Sequence, residues 1–403
     1  MSFVTFNKPD INFRLLKRIL EVKNGNKVKE KVVNFFKKIT KKNYVIITDS
    51  CRTSLYLAHK FSNNDSKLVH VSPLTCSSAI SPIIAAGKAP SFTKVDRDTL
   101  LSDEQNLMEL IRDQKGSVQT IGLGGNLNQM DKIKKACKDS NTLLIEDCAQ
   151  SFGSSFNGQQ SGSFGDISCF SLSKNLYSLG GGIIALNDKK TYGKILRFYD
   201  RLSVQSNKVS YYKILKYLFD TNSNRFIFKH LYKALMKFTR KKQKDELFFF
   251  RNLKKPNLLT INSIYFQLLR FKGMNKRRTQ NAEYIINNLH SNDYFTKQKI
   301  ESNVKSSFVR LYLSSIKKTL TVNSASNELG IQCRHLKSRY GNLMQDRFDE
   351  KNLTMPFINK SLSDAYFSIH DNLISIPLSS KMSHSDKNKI INYLQAGSNE
   401  NNN

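Results

Sequence analysis

The chain has 403 residues, of which 39% are hydrophobic and 10% are aromatic. This length and composition predict two domains, or one large domain with a smaller one, and they exclude a chain that is disordered throughout. The longest apolar runs fall far short of the ~20 residues that span a bilayer, and residues 1–10 lack the pattern of a secretory signal. We therefore expect a cytoplasmic protein.

Basic residues outnumber acidic ones, with 64 Lys or Arg against 32 Asp or Glu and a formal net charge of +32. Such an excess can indicate a nucleic-acid partner, but codon bias toward Lys and Asn explains it equally well, and no nucleic-acid-binding motif accompanies it. The six cysteines contain no CxxC pair and the histidines no HExxH, which argues against a disulfide framework and a metal site. We expect neither a metal nor a nucleic-acid partner.

Strand and helix patterns alternate along the first half of the chain. The predicted strands are 44–48, 67–72, 91–95, 118–123, 142–145, 167–172 and 183–186, and the predicted helices include 54–60, 77–86 and 130–138. This alternation is typical of an α/β fold with a mainly parallel sheet that is covered on both faces. Ligands of such sheets bind at the carboxyl ends of the strands.

The composition changes after residue 200. The segment 201–255 contains 15 Lys or Arg and 3 Asp or Glu, and apolar residues recur at helical spacing from Phe228 to Phe238 beside a row of lysines. We predict a basic helical insertion at 200–256, whose helix at 226–240 either packs on protein, which such helices usually do, or lies on an anionic membrane surface.

The remainder of the chain predicts a smaller C-terminal domain. It contains one or two helices at 257–289, a strand and turn at 306–316, a strand at 373–377, and a final helix at 383–394 that Ser383 caps. We therefore divide the chain into a large domain at 1–199, the insertion at 200–256, a small domain at 257–396 and a disordered tail at 397–403.

Three segments contain residues that could bind a ligand or take part in catalysis. Small polar residues at 48–55 lie between a strand and a helix, where backbone N–H groups can bind a phosphate, although Ser and Thr cap most helices anyway. A buried strand ends in Glu146 and Asp147. Lys174 has no other lysine near it from residue 139 to 188 and precedes a triple glycine. A lysine in such a turn is typical of Schiff-base chemistry, which needs access to a carbonyl and room for a planar ring.

In this order, the segments resemble the pyridoxal-phosphate (PLP)-dependent nucleotide-sugar aminotransferases of the DegT/StrS type, over nearly the whole chain except 200–256. The motifs that carry the resemblance are 49–55, 73–87 with Val95-Asp96, 122–131, Glu146-Asp-Cys-Ala-Gln150, 162–166, 170–176 with the glycines 180–182, and 374–378. The resemblance implies PLP-dependent transferase fold type I, as in aspartate aminotransferase, with the cofactor bound by the large domain and a smaller α+β domain at the C-terminus.

The resemblance implies a role for each matching residue. Lys174 forms a Schiff base with the cofactor and then carries the proton between the amino carbon and the cofactor carbon. Asp147 pairs with the pyridine nitrogen and keeps it protonated. Gln150 lies beside the phenolic edge of the ring. Cys76 occupies the place of an aromatic residue that often stacks on the ring, and its sulfur can still contact the π face.

The expected phosphate site departs from the family pattern in one respect. The backbone of Cys51 and Arg52 is implied to hold the phosphate. The family commonly adds a serine five residues before the lysine, but Cys169 stands there and the segment is two residues shorter, so Ser171 or Ser173 serves instead. The element by which the partner subunit usually reaches the cofactor is not evident at 248–257.

The implied reaction moves an amino group from glutamate to a keto group of a nucleotide-linked sugar, for surface-polysaccharide or related amino-sugar synthesis. Family members are usually homodimers, and we expect one here. Two alternatives stay open. Sugar dehydratases share the fold but replace the lysine by histidine, so Lys174 favours transamination. A non-catalytic or regulatory relative would keep the fold without turnover.

Overall fold

The structure is a computed structural model that describes residues 10–222, 246–289, 295–315, 334–335 and 373–396. The strands are β1 (Tyr44–Thr48), β2 (Leu68–Val71), β3 (Ala89–Phe92), β4 (Ser117–Ile121), β5 (Leu144–Asp147), β6 (Ser155–Phe156), β7 (Gln159–Gln160), β8 (Ile167–Ser171), β9 (Gly182–Leu186), β10 (Phe295–Lys297), β11 (Val304–Lys305), β12 (Arg310–Ser315), β13 (Arg334–His335) and β14 (Leu373–Pro377). The helices are α1 (Phe13–Glu21), α2 (Gly25–Thr40), α3 (Cys51–Phe61), α4 (Ser77–Ala85), α5 (Glu104–Asp113), α6 (Met130–Asp139), α7 (Lys189–Asp200), α8 (Asn207–Asn222), α9 (Leu258–Asn288) and α10 (His384–Ala396).

Seven strands form the central sheet, in the order β1-β9-β8-β5-β4-β2-β3. Neighbouring strands from β8 to β3 are parallel, whereas β9 is antiparallel to both β8 and β1. The predicted α/β fold with a mainly parallel sheet is confirmed. Strand β3 begins and ends earlier than the strand predicted at 91–95, and it includes Pro90. The sheet accommodates this proline because β3 is an edge strand, where a missing N–H breaks no ladder.

Helices cover both faces of the central sheet, as neighbouring residues of β8 illustrate. Phe170 points to the face that α2 and α9 cover, where it packs with Phe36 and Phe271. Cys169 points to the opposite face and packs with Leu55 of α3. Both residues are fully buried. This pattern is that of a parallel strand buried on both sides, and it leaves the strand ends as the accessible part of the sheet.

Helix α9 runs for 31 residues and contributes to two hydrophobic cores. Its first half packs on the central sheet through residues such as Ile264. Its second half packs through Ala282 and Ile285 against β12, β14 and α10. One continuous helix, capped by the side chain of Asn257, therefore stands where the sequence predicted one or two. This helix contributes to both cores. The predicted division of the chain into domains stays a prediction.

A second, antiparallel sheet has the order β10-β12-β14-β13. The following helix, α10, is capped as predicted by Ser383, whose hydroxyl accepts the N–H of Asp386 at 3.1 Å. The carboxylate of Asp386 in turn accepts the N–H of Ser383 at 2.9 Å. This reciprocal pair satisfies two N–H groups at the start of the helix. At the edge of the sheet, Arg334 and His335 form β13, which pairs with β14.

The helix predicted at 226–240 and the tail predicted at 397–403 lie outside the described residues, so both alternatives for this helix, packing on protein and contact with a membrane, stay predictions. Within the described ranges, no helix combines the length and the apolar character needed to cross a membrane.

Three cations surround the buried carboxylate of Asp10. Its oxygens lie 2.7 Å from Nη2 of Arg270, 3.1 Å from Nη2 of Arg277 and 3.3 Å from Nζ of Lys381. Burial favours the neutral acid, but the hydrogen bonds and charges of Arg270 and Lys381 outweigh burial and hold the pKa of Asp10 below its ordinary value. The carboxylate therefore ties α9 to the segment that follows β14.

We expect Asp10→Asn to lower the free energy of unfolding at pH 7 by about 1–3 kcal/mol, because it removes the charge that three partly exposed cations share. A depressed pKa stabilises the fold above the unfolded value near pH 4, and this stabilisation is lost as the pH falls through the lower folded value. Urea unfolding at pH 7 and pH 3 should therefore show a smaller pH effect in the variant than in the wild type.

The matched control is Asp113→Asn, which removes an acid from an exposed pair with Arg112. Exposed pairs contribute little, so this control should unfold like the wild type at both pH values. If Asp10→Asn also unfolds like the wild type, the three-cation contact does not stabilise the fold.

Candidate active site

The two acids at the end of β5 face opposite directions, because side chains alternate along a strand. Glu146 faces a glycine-bounded loop. Its Oε2 accepts the N–H of Gly162 at 2.8 Å, and its Oε1 accepts the N–H groups of Phe164 at 2.7 Å and Gly165 at 2.6 Å. Glu146 therefore holds this loop in place, and Asp147 is the acid that remains for chemistry.

We expect Glu146→Gln to lower the melting temperature by about 5–10 °C, because an amide group would face backbone N–H groups that now donate to a carboxylate. Thermal unfolding measures this loss. The control is Glu104→Gln, whose partly exposed acid pairs with Lys132 at the surface and should contribute little to stability. An unchanged melting temperature in Glu146→Gln would contradict the structural role.

Asp147 is buried at the carboxyl end of β5. Its Oδ1 accepts the N–H of Ala149 at 2.9 Å and the thiol of Cys51 at 3.7 Å. Burial raises the pKa of Asp147, and the opposing effects of the charge on Lys174 and of these two hydrogen bonds do not cancel the rise. A cationic ring nitrogen beside this carboxylate would favour its ionised form.

Lys174 lies in the loop between β8 and β9 and is half-buried. Burial by itself would lower the pKa of its ammonium group, as would the charge of Arg310. The electrostatic effects of Cys76 and Asp147 outweigh both, so the pKa of Lys174 is raised, with a smaller contribution from Cys51. The structure thus brings three other predicted site residues within electrostatic reach of Lys174.

Glycines allow the Lys174 loop to fold back against α3. The loop is closed by a hydrogen bond from the N–H of Leu172 to the carbonyl of Gly181, at 3.1 Å. Gly180 and Gly181 have φ angles of +133° and +94°, which side chains rarely permit. A Cβ on Gly182 would lie 2.4 Å from the carbonyl carbon of Ser50. The loop therefore ends against the turn that begins α3.

The first turn of α3 presents backbone N–H groups as expected. The hydroxyl of Ser50 accepts the N–H of Thr53 at 3.2 Å, and its carbonyl accepts the N–H of Ser54 at 3.1 Å. The N–H groups of Cys51 and Arg52 have no hydrogen-bond partner in the part of the chain that the structure describes. Such groups at a helix N-terminus, together with the helix dipole, suit an anion.

The side chain of Arg52 connects α3 to α4. Its guanidinium group donates to the hydroxyl of Ser78 in α4 and lies 4.9 Å from the centroid of the Phe249 ring. Cys76 is the half-buried N-cap residue directly before α4, and its side chain makes no capping hydrogen bond. The starts of α3 and α4 therefore meet at the site, where Cys76 and Cys51 both act electrostatically on Lys174.

Gln150 connects the central sheet to the smaller sheet. Its Oε1 accepts the N–H of Gly124 and the hydroxyl of Tyr312, each at 3.2 Å. Tyr312 and Arg310 are two residues apart and therefore share a face of β12, and Arg310 is close enough to act electrostatically on Lys174. The sequence analysis did not predict either residue. The signal was the alternation Arg-Leu-Tyr-Leu, in which two polar side chains share one face.

The predicted phosphate serines lie at the end of β8. Ser171 is buried, and its hydroxyl lies 3.4 Å from that of the exposed Ser173. Cys169, which stands at the family's serine position, is fully buried opposite Asp147 of β5, and burial raises the pKa of its thiol. Cys169 is therefore a core residue. Which of the two serines contacts a phosphate stays a prediction.

This fold and site define a class of protein, the PLP-dependent transferases of fold type I. A solved aminotransferase from Helicobacter pylori, involved in the biosynthesis of pseudoaminic acid, has the same fold, with a TM-score of 0.75 and 17% identity over 98% of this chain and 99% of that one. The chain belongs to the DegT/DnrJ/EryC1/StrS aminotransferase family, whose model matches residues 14–224. The predicted family is confirmed, and the match extends through α8 into the segment predicted as an insertion.

Two curated relatives have names that refer to GDP-linked sugars. The GDP-perosamine synthase of Escherichia coli O157:H7 is 33% identical over 132 residues, which are 32% of this chain and 36% of the relative. The GDP-4-keto-6-deoxy-D-mannose 3-dehydratase of Escherichia coli O55:H7 is 28% identical over 199 residues, which are 46% of this chain and 51% of the relative. The chain thus spans between about a third and a half of the length of these relatives.

The described residues fit PLP at three points. The buried carboxylate of Asp147 accepts its hydrogen bonds at Oδ1, which leaves Oδ2 for a cationic ring nitrogen. The amine of Lys174 is within electrostatic reach of that carboxylate. The N–H groups of Cys51 and Arg52 suit the phosphate. The amine of Lys174, the acid of Asp147 and the site for an anion at the start of α3 therefore occur together at the carboxyl ends of the strands.

Proposed function

We propose that this protein is a PLP-dependent aminotransferase that moves an amino group from glutamate to a keto group of a nucleotide-linked sugar. The observation that carries the proposal is the pairing of Lys174 with Asp147. The amine and the buried acid lie at the ends of adjacent strands, β8 and β5, and each changes the pKa of the other. Perturbed groups of opposite charge in one site are typical of catalytic residues.

Each residue has a defined task in this proposal. When PLP is bound, it supplies a sink for the electrons that the amino carbon releases. The carboxylate of Asp147 keeps a proton on the ring nitrogen, and Nζ of Lys174 holds the cofactor and then moves a proton between the reacting carbon atoms. The backbone N–H groups of Cys51 and Arg52 bind the phosphate, with Ser171 or Ser173 as a further donor.

Two further residues position the ring. Gln150 lies beside its phenolic edge, and the contacts of Gln150 with the N–H of Gly124 and the hydroxyl of Tyr312 keep the amide in place. The thiol of Cys76 covers one face of the ring, where a soft sulfur makes a favourable contact.

The substrate class rests on the relatives and on charge. One relative is named a GDP-perosamine synthase and another a dehydratase that acts on a GDP-linked keto sugar. We therefore infer a nucleotide-linked keto sugar as the amino acceptor, and surface-polysaccharide or related amino-sugar synthesis as the setting. The net charge of +32 would attract the diphosphate of such a substrate toward the protein.

The experiment uses purified protein incubated with PLP. A visible absorbance band should form, disappear on addition of L-glutamate with release of 2-oxoglutarate, and return on addition of an accepted member of a panel of nucleotide keto sugars. Mass spectrometry separates the enzymatic alternatives, because transamination adds nitrogen to the sugar and dehydration removes water. A protein that binds PLP but never responds to glutamate would be a non-catalytic relative.

We also infer a cytoplasmic homodimer. Family resemblance supports the dimer, and the proposed use of glutamate and a nucleotide-linked sugar supports the location. Light scattering of the purified protein tests the dimer, because a monomer with full activity would contradict it.

A further inference from the structure

Helix α8 contacts the loop that carries Lys174. The hydroxyl of Tyr217 donates to the carbonyl of Ser178 at 3.0 Å, and Nζ of Lys213 donates to the carbonyl of Leu179 at 2.7 Å. Lys213 and Tyr217 are four residues apart and therefore share one face of the helix. Two consecutive carbonyl groups of the loop thus receive their donors from one helix face.

Helix α9 contacts the same stretch of the loop. The hydroxyl of Ser263 accepts the N–H of Leu179 at 3.0 Å, so this peptide segment is bonded to both helices. The two helices are also joined to each other, because the buried hydroxyl of Ser210 in α8 bonds to the side chain of Asn257 at 3.0 Å and lies 3.3 Å from that of Thr260. Helix α8 is therefore docked on the catalytic part of the molecule.

The stretch that α8 holds closes the Lys174 loop. The N–H of Ser178 donates to the carbonyl of Leu172 at 3.2 Å, and the N–H of Leu172 donates to the carbonyl of Gly181 at 3.1 Å. Lys174 lies within both of the stretches that these bonds close, 172–178 and 172–181. A shift of residues 178–181 would consequently move the backbone from which the amine of Lys174 projects.

Lys213 also places a positive charge beside the phosphate turn. Its Nζ lies 2.7 Å from the position that a Cβ on Gly180 would occupy. The carbonyl oxygen of Asp49 lies 3.7 Å from the same position. The carboxylate of Asp49 accepts the hydroxyl of Thr53 at 2.5 Å, within the first turn of α3. Burial lowers the pKa of Lys213, and the charge of Asp49 opposes this effect. A partly buried acid beside a site for an anion is unfavourable unless a cation offsets its charge.

We propose that α8 is a clamp on the Lys174 loop and that Lys213 is a positioning residue, which fixes the backbone around Lys174 and offsets the charge of Asp49 at the phosphate turn. The proposal rests on the proposed function for its catalytic consequence. It assigns a task to the described part of the segment that was predicted from the sequence to be a basic helical insertion.

The first arm of the test needs no cofactor. Hydrogen exchange of the peptide that contains residues 176–182 should be about tenfold faster in Lys213→Met than in the wild type, because the carbonyl of Leu179 loses a charged donor. The control is Lys208→Met, which removes an exposed lysine of the same helix and should leave exchange unchanged. Tyr217→Phe, which removes the neighbouring donor, should also raise exchange and provides a second variant.

The second arm uses the PLP-loaded protein. Lys213→Met should slow the reaction with glutamate by about 10–100-fold and change the visible circular dichroism of the bound cofactor, with the KM for glutamate within about twofold, because a displaced amine loses alignment and not substrate affinity. Lys213→Arg should recover much of the rate, since a guanidinium group can donate to the same carbonyl.

The outcomes separate this proposal from the proposed function. A wild-type protein that forms no visible band with PLP would refute the proposed function, while the exchange arm still decides whether α8 is a clamp. If Lys213→Met and Tyr217→Phe both exchange like the wild type, the clamp is refuted. If exchange rises but rate and circular dichroism do not change, the positioning role of Lys213 is refuted.

Discussion

Lys174→Ala should abolish the visible band that the protein forms with PLP and slow its reaction with glutamate by about 10³-fold or more. The variant lacks the amine that holds the cofactor and moves the proton at the reacting carbon atoms. Absorbance spectroscopy and single-turnover release of 2-oxoglutarate measure the two effects. A small primary amine added to the variant should restore part of the rate, because it can accept the same proton.

The matched control is Lys190→Ala, which removes an exposed lysine at the start of α7. This control should keep the spectrum and rate of the wild type. A Lys174→Ala variant that reacts with glutamate at a rate near that of the wild type would refute both the assignment of this lysine and the proposed function.

Asp147→Asn should leave the protein able to bind PLP but slow its reaction with glutamate by about 10²–10⁴-fold. The amide can still accept a hydrogen bond from the N–H of Ala149, but it carries no charge to hold a proton on the ring nitrogen. The variant separates charge from shape, because an amide has nearly the same size as a carboxylic acid. Single-turnover kinetics at saturating PLP and glutamate measure the loss.

The same substitution should shift the pH dependence of PLP loading. The charge of Asp147 raises the pKa of Lys174, so its removal lowers that pKa and makes the unprotonated amine available at lower pH. The loading rate of Asp147→Asn should therefore rise at a lower pH than that of the wild type. Glu146→Gln is the control, because its acid binds a loop and should change stability without this shift. An unshifted profile in Asp147→Asn would contradict the electrostatic pairing.

Much of the large domain follows from the sequence, because local patterns decide it. Strands such as β1 and β9 are short apolar runs, and the turns between the strands carry glycine or small polar residues, so the order of the strands can be predicted without contacts between distant residues. Lys174 and Asp147 were also predictable, since an isolated lysine before three glycines and an acid at the end of a buried strand are local signals. The family was predicted from the order of these two signals together with the other motifs of the chain.

Other features depend on contacts between residues far apart in the sequence, which local patterns do not record. Glu146 and Asp147 are adjacent acids, and the hydrogen bonds of Glu146 to the loop at 162–165 separate their roles. Tyr312 reaches Gln150 from a different sheet. Nothing in the local sequence distinguishes Lys213 from the other lysines of its segment, and its contact with the Lys174 loop depends on how α8 packs. Composition and periodicity determine which elements form, whereas the side chains that meet at the site depend on how those elements pack, because hydrogen bonds and desolvation act between neighbours in space.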